Sequence, residues 1–332
     1  MPLKTETKPT ILIRAVTIVT DLIQIFLLFT LFLLFYLAQP VITERVLYLP
    51  RGGLNYTIEQ LRKDGVDISL FDGLLIKLAG KYLQAGWIDL GKTEMSKGEF
   101  LYRLTTAKAA LVDVTIKPGE TNYFIYRELA KKLKLPPFQC SNIPEGFIKP
   151  DTYKLPIGMS PRQLCQYLYG VSYQWHKHIG EKVFEGFNFR VYKKYLIIAS
   201  IIQKEAANPK EFKLVSAVIY NRLKKGMKLQ MDGSLNYGKF SHTPITPQRI
   251  RQDISPYNTY KYKGLPPTPI CVVQREAILA AIFPAKVPYL YFTKCGDHHL
   301  FASTWEEHRA NIEKCRKVNR EWAQKKREKK EK

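Results

Sequence analysis

The sequence predicts an α+β protein that one N-terminal helix attaches to a membrane. An apolar run covers residues 15–38, and after it helical and strand-like patterns alternate in short segments. A later segment, residues 195–206, is apolar nearly all round until its last turn, which is typical of a buried helix. These three observations predict a transmembrane helix, then a small α+β unit, then a larger domain that contains a buried helix.

The apolar run is long enough to be a transmembrane anchor, because a bilayer core of ~30 Å needs about 20 helical residues. The alternative is a cleaved signal peptide, whose apolar region would be shorter, roughly 7–15 residues, and would end at a small-x-small cleavage site. Here Tyr36 would occupy the −3 position of that site. We therefore predict an uncleaved anchor at residues 15–38.

Charges on either side of the anchor predict its orientation. Lys4, Lys8 and Arg14 precede the helix, whereas Glu44 and Arg45 follow it. The positive-inside rule then places residues 1–14 in the cytoplasm and everything after the anchor outside.

The net charge of +23 suggests anionic partners. Nucleic acid is an improbable partner outside the membrane, which leaves anionic lipid headgroups and acidic cell-wall polymer. The basic tail, residues 319–332, is interpreted as a solvated helix end, with attraction to the membrane surface as the alternative.

Between the anchor and the buried helix, residues 41–115 have the mixed pattern of a small α+β unit. A helix is predicted to start near residue 56, with Thr57 as a candidate cap. Residues 71–83 are amphipathic, with Leu74, Leu75, Leu78 and Leu83 on roughly one side. A β-branched strand is predicted at 110–116 and a helix at 123–133. The second domain, residues 116–318, begins at the end of this strand. The five cysteines form no recognisable framework, and their pairing is left open.

Glu205 ends the buried helix and is the candidate acid. Asn208 begins a second helix directly after it, and Gly226 ends that helix. A carboxyl group there is partly desolvated, which raises its pKa and lets it donate a proton to a glycosidic oxygen. The alternative, which periodicity alone favours, is a structural glutamate paired with Lys204 or Lys210.

Glycoside hydrolases normally use two carboxyl groups, and Asp232 is the candidate for the second. The alternative is that Asp232 is only a turn residue before Gly233. One carboxyl group suffices if the substrate supplies the nucleophile. In muramic acid the C6 hydroxyl can attack C1, so that a 1,6-anhydro sugar forms without water.

Several blocks between residues 145 and 308 resemble the YceG-like (MltG) family of endolytic murein transglycosylases, in the same order. The block ASIIQKE at 199–205 resembles that family's "ASIVEKE" signature, and EGF at 145–147 with PDTY at 150–153 resembles its "EGYLFPDTY". The remaining blocks are VIYNRL at 218–223, GMKLQ at 226–230, SPYNTY at 255–260, GLPP at 264–267, PAK at 284–286, YLYF at 289–292, HLF at 299–301 and EH at 307–308. Two loops depart from the family: its "DPT" is DGS at 232–234 here, and its "LPPGPI" is LPPTPI at 265–270.

The resemblance implies a YceG-like catalytic domain at 116–318 behind a LysM-like subdomain at 41–115. It implies that Glu205 is the catalytic glutamate and that Gln230, Asp232, Tyr257 and Asn258 line the glycan cleft, while His299 is expected to shape that cleft or a nearby turn. The implied protein is a single-pass inner-membrane lyase that cuts nascent glycan strands on the periplasmic side and limits their elongation. The implied partners are peptidoglycan strands and peptidoglycan synthases (penicillin-binding proteins), and no cofactor is expected.

Other functions were weighed against this one. The chain could be a peptidoglycan-binding scaffold for synthases, or a hydrolytic muramidase in which Asp232 activates water. Two other kinds of site lack the expected patterns. A zinc site from Cys295, His298, His299 and His308 has no standard ligand spacing, and a triad from Ser234, His242 and Asp232 lacks a nucleophile elbow. Tyr257, Tyr260 and Tyr262 would suit stacking on sugar rings or ordinary loop packing.

Overall fold

A 28-residue helix, α1 (Ile11–Ala38), opens the part of the chain that the computed structural model describes. That part comprises the backbone of residues 11–328 and the side chains of residues 14–322 and 324. The segment Arg14–Ala38 of α1, 25 residues long, is long and apolar enough to cross a membrane. Its bounds agree with those of the predicted anchor to within one residue. The predictions for Lys4, Lys8 and the end of the basic tail lie outside the described residues.

The chain divides into two compact units, residues 1–111 and 112–332. After α1, the first unit contains two small antiparallel sheets and three helices. The strands β1 and β4 form one sheet and β2 and β3 form the other. The elements are β1 (Pro40–Ile42), β2 (Val46–Leu49), α2 (Leu54–Lys63), α3 (Leu70–Leu78), β3 (Gly86–Asp89), β4 (Glu94–Ser96) and α4 (Lys97–Thr106).

The first unit has its own apolar core, in which Ile58 of α2 and Phe100 of α4 are fully buried. One local prediction is wrong here. Thr57 does not cap α2: the helix starts earlier, after Gly53, and the buried Thr57 hydroxyl donates to the Gly53 carbonyl at 3.3 Å. The leucines of residues 71–83 divide in the structure: Leu75 and Leu83 pack against the core, whereas Leu74 and Leu78 are exposed. The face of α3 that carries Gly73 is buried against Ile58.

The second unit is mainly helical, with two two-stranded sheets. The predicted strand at 110–116 and helix at 123–133 are confirmed to within a residue as the first two elements. The elements are β5 (Leu111–Ile116), α5 (Asn122–Leu133), β6 (Asp151–Pro156), α6 (Pro161–Glu181), α7 (Phe189–Glu205), α8 (Phe212–Lys224), α9 (Pro247–Gln252), α10 (Arg275–Ile282), β7 (Tyr291–Cys295), β8 (His298–Ala302) and α11 (Trp305–Glu328). β5 pairs with β6, and β7 pairs with β8.

The helix α7 lies in the middle of the second unit's core, where it packs against α8 and α10. All its residues from Leu196 to Ile202 are buried. The one polar side chain among them, Ser200, donates to the Ile197 carbonyl at 2.8 Å and accepts from the Ile270 amide at 3.0 Å. Because no polar group of Ser200 is left unpaired, the helix can be buried over this whole stretch.

The connection from α7 to α8 is short. Asn208 caps a 3-10 turn, Pro209–Glu211, by accepting from the Lys210 amide at 3.0 Å. The helix α8 follows directly, and Gly226 after it has a φ of +64°, the left-handed conformation that favours glycine. The C-terminal end of α7 is therefore followed at once by a capped turn and by a second helix that a glycine ends.

Two disulfides cross-link the second unit. Cys140 bonds to Cys165 of α6, and Cys295 at the end of β7 bonds to Cys315 of α11. Cys271 is a buried free thiol. The pairing that the sequence left open therefore joins the cysteines in order along the chain, with Cys271 left over.

Candidate active site

Glu205 is the last residue of α7, and its carboxyl group faces the turn that contains Gly233. The Gly233 amide donates a hydrogen bond of 2.6 Å to Glu205 Oε1. Within the described residues Glu205 forms no ion pair with Lys204 or Lys210, the partners that the structural alternative required. Lys204 instead donates from Nζ to the Ser241 hydroxyl at 2.7 Å.

Gly233 lets the backbone approach the catalytic candidate closely. The turn Asp232–Leu235 is a 3-10 helix, and Gly233 is buried inside it. A Cβ atom at this position would lie 2.5 Å from Lys204 Cβ and 3.0 Å from Glu205 Oε1. Only a residue without a side chain fits there, so the glycine that departs from the family motif has a direct contact with the acid.

Burial raises the pKa of Glu205 to about 7. The Gly233 amide opposes this effect, because a hydrogen bond to the charged carboxylate favours ionisation. The negative charge of Asp232 raises the pKa further, and the positive charge of Arg222 lowers it. The result is a carboxyl group that is divided between its protonated and charged forms near neutral pH.

Arg222 of α8 is a buried cation close to this site. Its Nε donates to the Leu290 carbonyl at 2.6 Å and its Nη1 to the Leu229 carbonyl at 2.7 Å. Its guanidinium lies 5.2 Å from the centre of the Tyr291 ring. Because backbone carbonyls hold Arg222 in place, its charge acts on Glu205 at a distance without forming an ion pair. Arg222 belongs to the block VIYNRL in the sequence analysis but was not among the candidate site residues.

Asp232 is exposed and lies beside Glu205, with one hydrogen bond to an aromatic side chain. The Tyr260 hydroxyl donates to Asp232 Oδ1 at 2.6 Å. Tyr260 lies two residues after the buried Asn258. The side-chain Nδ2 of Asn258 donates to the Ile250 and Asp253 carbonyls. Its Oδ1 accepts from the backbone amide of Tyr260 at 3.0 Å. Asn258 therefore holds the loop, and Tyr260 is the residue of that loop that contacts Asp232.

Gln230 has an exposed side chain on a strained backbone. Its φ is +49°, which few residues other than glycine adopt. The Gln230 amide donates to the Thr259 carbonyl at 3.1 Å, and the next amide, that of Met231, donates to the Thr259 hydroxyl at 3.0 Å. Such strain persists only where neighbouring structure enforces it, and it is frequent at functional sites.

The two remaining candidates are engaged with other parts of the protein. The Tyr257 ring stacks on Tyr237 at 4.3 Å, and its hydroxyl is 2.7 Å from that of Thr268. His299 is buried, and its Nδ1 lies 2.8 Å from Glu211 Oε2. The same Glu211 oxygen accepts from the amide of residue 207 at 3.2 Å. His299 thus joins β8 to the connection that directly follows Glu205.

A partly buried carboxyl group, Glu145, lies close enough to Lys204 to be affected by its charge and was not singled out as a site residue. Burial raises the pKa of Glu145 to about 7, and the positive charge of Lys204 lowers it. It accepts hydrogen bonds from the Asn122 amide at 2.9 Å and from the Gly146 amide at 3.3 Å. Its place in the EGF block was the available signal in the sequence.

The alternative sites that the sequence offered are not assembled. The Ser234 hydroxyl donates to the Met231 carbonyl at 2.7 Å, whereas His242 pairs with Glu120 and stacks on Phe124 at 4.0 Å. Of the residues weighed as zinc ligands, Cys295 is bonded to Cys315 and His299 to Glu211. A cleft of about 780 Å³ lies beside His242, and Glu205 does not line it.

Comparison with known proteins gives one consistent family. A model of the YceG-like family matches residues 48–314. The endolytic murein transglycosylase of Bacillus subtilis (strain 168) is 38% identical over 122 residues, which are 36% of this chain and 34% of that protein. The protein of the same name from Streptococcus pneumoniae (strain D39) is 34% identical over 124 residues, 35% of this chain and 22% of that protein. The matches thus span about a third of the first relative's length and about a fifth of the second's.

A solved structure resembles the chain in fold. It is the crystal structure of a putative YceG-like protein from Listeria monocytogenes, with a TM-score of 0.51 and 24% sequence identity. The similarity covers 80% of this chain and 97% of that one. At this level of identity the likeness concerns the fold alone.

Proposed function

The chain belongs to the YceG-like family, and we propose that it is an endolytic lytic transglycosylase, a lyase that cleaves MurNAc–GlcNAc bonds in nascent peptidoglycan strands. The relatives named endolytic murein transglycosylase support this activity. The observation that carries the proposal is the state of Glu205: it ends a buried helix, its carboxyl group is held by the Gly233 amide, and its pKa is raised to about 7.

The first chemical step uses Glu205 as an acid. The protonated carboxyl group gives its proton to the oxygen of the glycosidic bond, and the bond from that oxygen to C1 of the muramic acid breaks. The departing GlcNAc residue keeps the oxygen as its C4 hydroxyl. General acid catalysis of this kind works best when the pKa of the acid lies near the working pH.

The second step uses the same group as a base. The Glu205 carboxylate takes the proton from the C6 hydroxyl of the muramic acid while the C6 oxygen bonds to C1. A 1,6-anhydro end forms, Glu205 is protonated again, and no water is consumed. The Gly233 amide donates to the carboxylate that exists between the two steps, and so it stabilises the charged form that the first step leaves.

The predicted binding residues divide into two groups in this proposal. Asp232 and Tyr260 have side chains near Glu205, and the exposed Gln230 side chain lies two residues before Asp232. In this proposal sugar hydroxyls and amides contact all three. Asn258 and His299 act as positioning residues, because their hydrogen bonds hold the loop with Tyr260 and the connection after Glu205. Tyr257, stacked on Tyr237, would offer an aromatic wall for a sugar ring.

The helix α1 would anchor the protein in the inner membrane in a single pass, with the catalytic domain on the periplasmic side. The two disulfides support this orientation, since disulfides persist in oxidising compartments and are rare in the cytosol. In this proposal residues 41–115 form a LysM-like subdomain and residues 116–318 the YceG-like catalytic domain. Strand cleavage would then limit elongation beside peptidoglycan synthases, the penicillin-binding proteins.

Mass spectrometry of uncrosslinked glycan strands tests the reaction. The strands are treated with the full chain in detergent, with Glu205→Gln, and with Glu185→Gln, which changes an exposed glutamate and serves as the matched control. We expect 1,6-anhydro-muramic ends from the wild type and the control, and intact strands from Glu205→Gln. Ordinary reducing ends would instead indicate a hydrolase in which Asp232 activates water. Intact strands with all three proteins would favour a scaffold that only binds peptidoglycan.

A further inference from the structure

The helix α3 carries an apolar stripe that its own unit leaves uncovered. Leu70, Leu74 and Leu78 are 59%, 50% and 74% exposed. Their spacing of four residues places them on one face of the helix. The opposite face is buried through Asp72, Gly73 and Ile76. Among the described residues of this unit the stripe stays largely exposed, and an exposed apolar patch commonly marks an interaction surface.

The start of α3 is fastened to the end of the predicted anchor. The Tyr36 hydroxyl, in the last turn of α1, donates to Asp72 Oδ1 at 2.9 Å and lies 3.1 Å from the Ser69 hydroxyl. The Tyr36 ring meets the Phe71 ring edge-on with centres 5.2 Å apart. Since tyrosine is enriched where a transmembrane helix leaves the bilayer, these contacts place α3 at the depth where α1 leaves the bilayer.

The residues that flank the stripe fit the same surroundings. Lys77 and Lys81 are exposed beside it, and Tyr82 is 85% exposed just after the helix. A helix with leucines on one face, lysines at its border and an aromatic residue at its end is typical of a segment that lies in the membrane interface. The lysines would be attracted to anionic headgroups.

We propose that α3 lies in the headgroup region of the bilayer that α1 crosses, with Leu70, Leu74 and Leu78 inserted among the upper acyl chains. This inference rests on the membrane anchor of the proposed function, and it adds a second attachment beside the first. With α1 alone the unit could swivel about its anchor. With α3 docked as well, residues 40–111 have a fixed orientation toward the membrane surface.

Site-specific fluorescence on the full chain tests the docking. An environment-sensitive fluorophore is attached to Leu74→Cys or Leu78→Cys, and the protein is reconstituted into vesicles of phosphatidylethanolamine and phosphatidylglycerol. The matched control is Glu59→Cys, on an exposed position of α2. The native cysteines give little background, because four are in disulfides and Cys271 is buried. Wild-type protein treated with the same fluorophore measures the labelling of the native cysteines that remains.

Quenchers attached to lipids, near the headgroup or deep in the acyl chain, report the position of each fluorophore. We expect the shallow quencher to reduce emission at 74 and 78 by about twofold more than at 59, because an interfacial helix lies only about 5–10 Å below the headgroups. Equal quenching at all three positions would overturn the proposal. Emission at 74 that is shielded from lipid quenchers but changes on dilution would overturn it too, and would assign the stripe to a second copy of the chain.

The anchor itself is tested separately in the same samples. Protein that stays with the vesicles after alkaline extraction retains its transmembrane helix whether or not α3 is docked. Loss from the vesicles would refute the anchor and the docking together, whereas retention with unquenched fluorophores at 74 and 78 would refute the docking alone. Neither readout depends on glycan cleavage, so failure here is distinguishable from failure of the proposed reaction.

Discussion

Replacement of Gly233 by alanine would put a methyl carbon 2.5 Å from Lys204 Cβ and 3.0 Å from Glu205 Oε1. Neither distance is tolerable, so the turn must move away and the 2.6 Å hydrogen bond from the Gly233 amide to Glu205 must lengthen or break. A hydrogen bond to a charged group contributes ~1.5–3 kcal/mol. At 1.36 kcal/mol for each pH unit, its loss would raise the pKa of Glu205 by roughly one to two pH units.

The sign of the effect on activity follows from the first chemical step. In the proposed reaction the reacting form of Glu205 is protonated, so kcat/KM should fall as pH rises through its pKa of about 7. In Gly233→Ala this fall should begin at higher pH, by the roughly one to two units derived above. The maximal rate should also decrease, by roughly tenfold to hundredfold, because a misplaced catalytic group loses its alignment.

The assay is the pH profile of anhydro-end formation from uncrosslinked strands. Gly170→Ala is the matched control, since a Cβ at Gly170 of α6 meets no atom within 4 Å. Thermal melting in the same detergent checks that both variants are folded. A folded Gly233→Ala protein whose profile coincides with that of the wild type would refute the idea that the amide tunes this acid.

Four further predictions follow from the same contacts. Asp232→Asn removes the charge that raises the pKa of Glu205, so the fall of kcat/KM should move to lower pH; an unchanged pH profile would contradict this. Glu205→Gln should raise the melting temperature more at about pH 8 than at about pH 5. The pKa of Glu205 is higher in the folded protein than in the unfolded chain, so ionisation destabilises the fold as pH rises from the unfolded pKa to the folded pKa. Equal changes in melting temperature at both pH values would be inconsistent with a raised pKa. The left-handed backbone conformation at Gln230 costs about 1–2 kcal/mol for a residue other than glycine. Gln230→Gly should therefore melt at a higher temperature than Gln230→Ala. Both variants should cut strands more slowly if the Gln230 side chain binds glycan. Changing Cys295 and Cys315 together to serine should lower the free energy of unfolding by ~3 kcal/mol, measured by denaturant titration, and a loss below about 1 kcal/mol would show that the bond is not a stabilising cross-link.

Local patterns in the sequence were sufficient for the second half of the helix that ends at Glu205 and for the start and stop of the helix that follows, whereas the first turns of α7, from Phe189, were not predicted. A wholly apolar stretch, an asparagine–proline start and a glycine stop are signals that act within a few residues, and α7, the turn after it and Gly226 follow them. The contact between Glu205 and Gly233 could not be predicted in this way. The two residues are 28 positions apart, and only the folded loop brings the amide to the carboxylate.

The leucines of α3 illustrate a different limit. Helical periodicity shows that Leu74 and Leu78 share a face, but it does not say whether that face meets protein, lipid or water. The packing of Gly73 against Ile58 decides it, because the smallest residue permits the closest approach and so selects the buried face. The face with Leu74 and Leu78 therefore lies outside the core of the unit, and it is the surface that we propose inserts into lipid.

A single carboxyl group that serves as acid and then as base needs a pKa that permits both forms. With an ordinary pKa near 4.5, only about 0.3% of Glu205 would be protonated at neutral pH. Burial without compensation would have the opposite fault, since a fully desolvated carboxyl group can reach a pKa of about 8–9, and so weak an acid gives its proton to the glycosidic oxygen less readily. Around Glu205, burial and Asp232 raise the pKa while the Gly233 amide and Arg222 lower it, and the balance lies at about 7. Each of these four influences on the pKa of Glu205 can be removed singly by mutation or by change of environment. A glutamate at this position is therefore not enough: a catalytic Glu205 is distinguished from a structural one by the balance that holds its pKa at about 7.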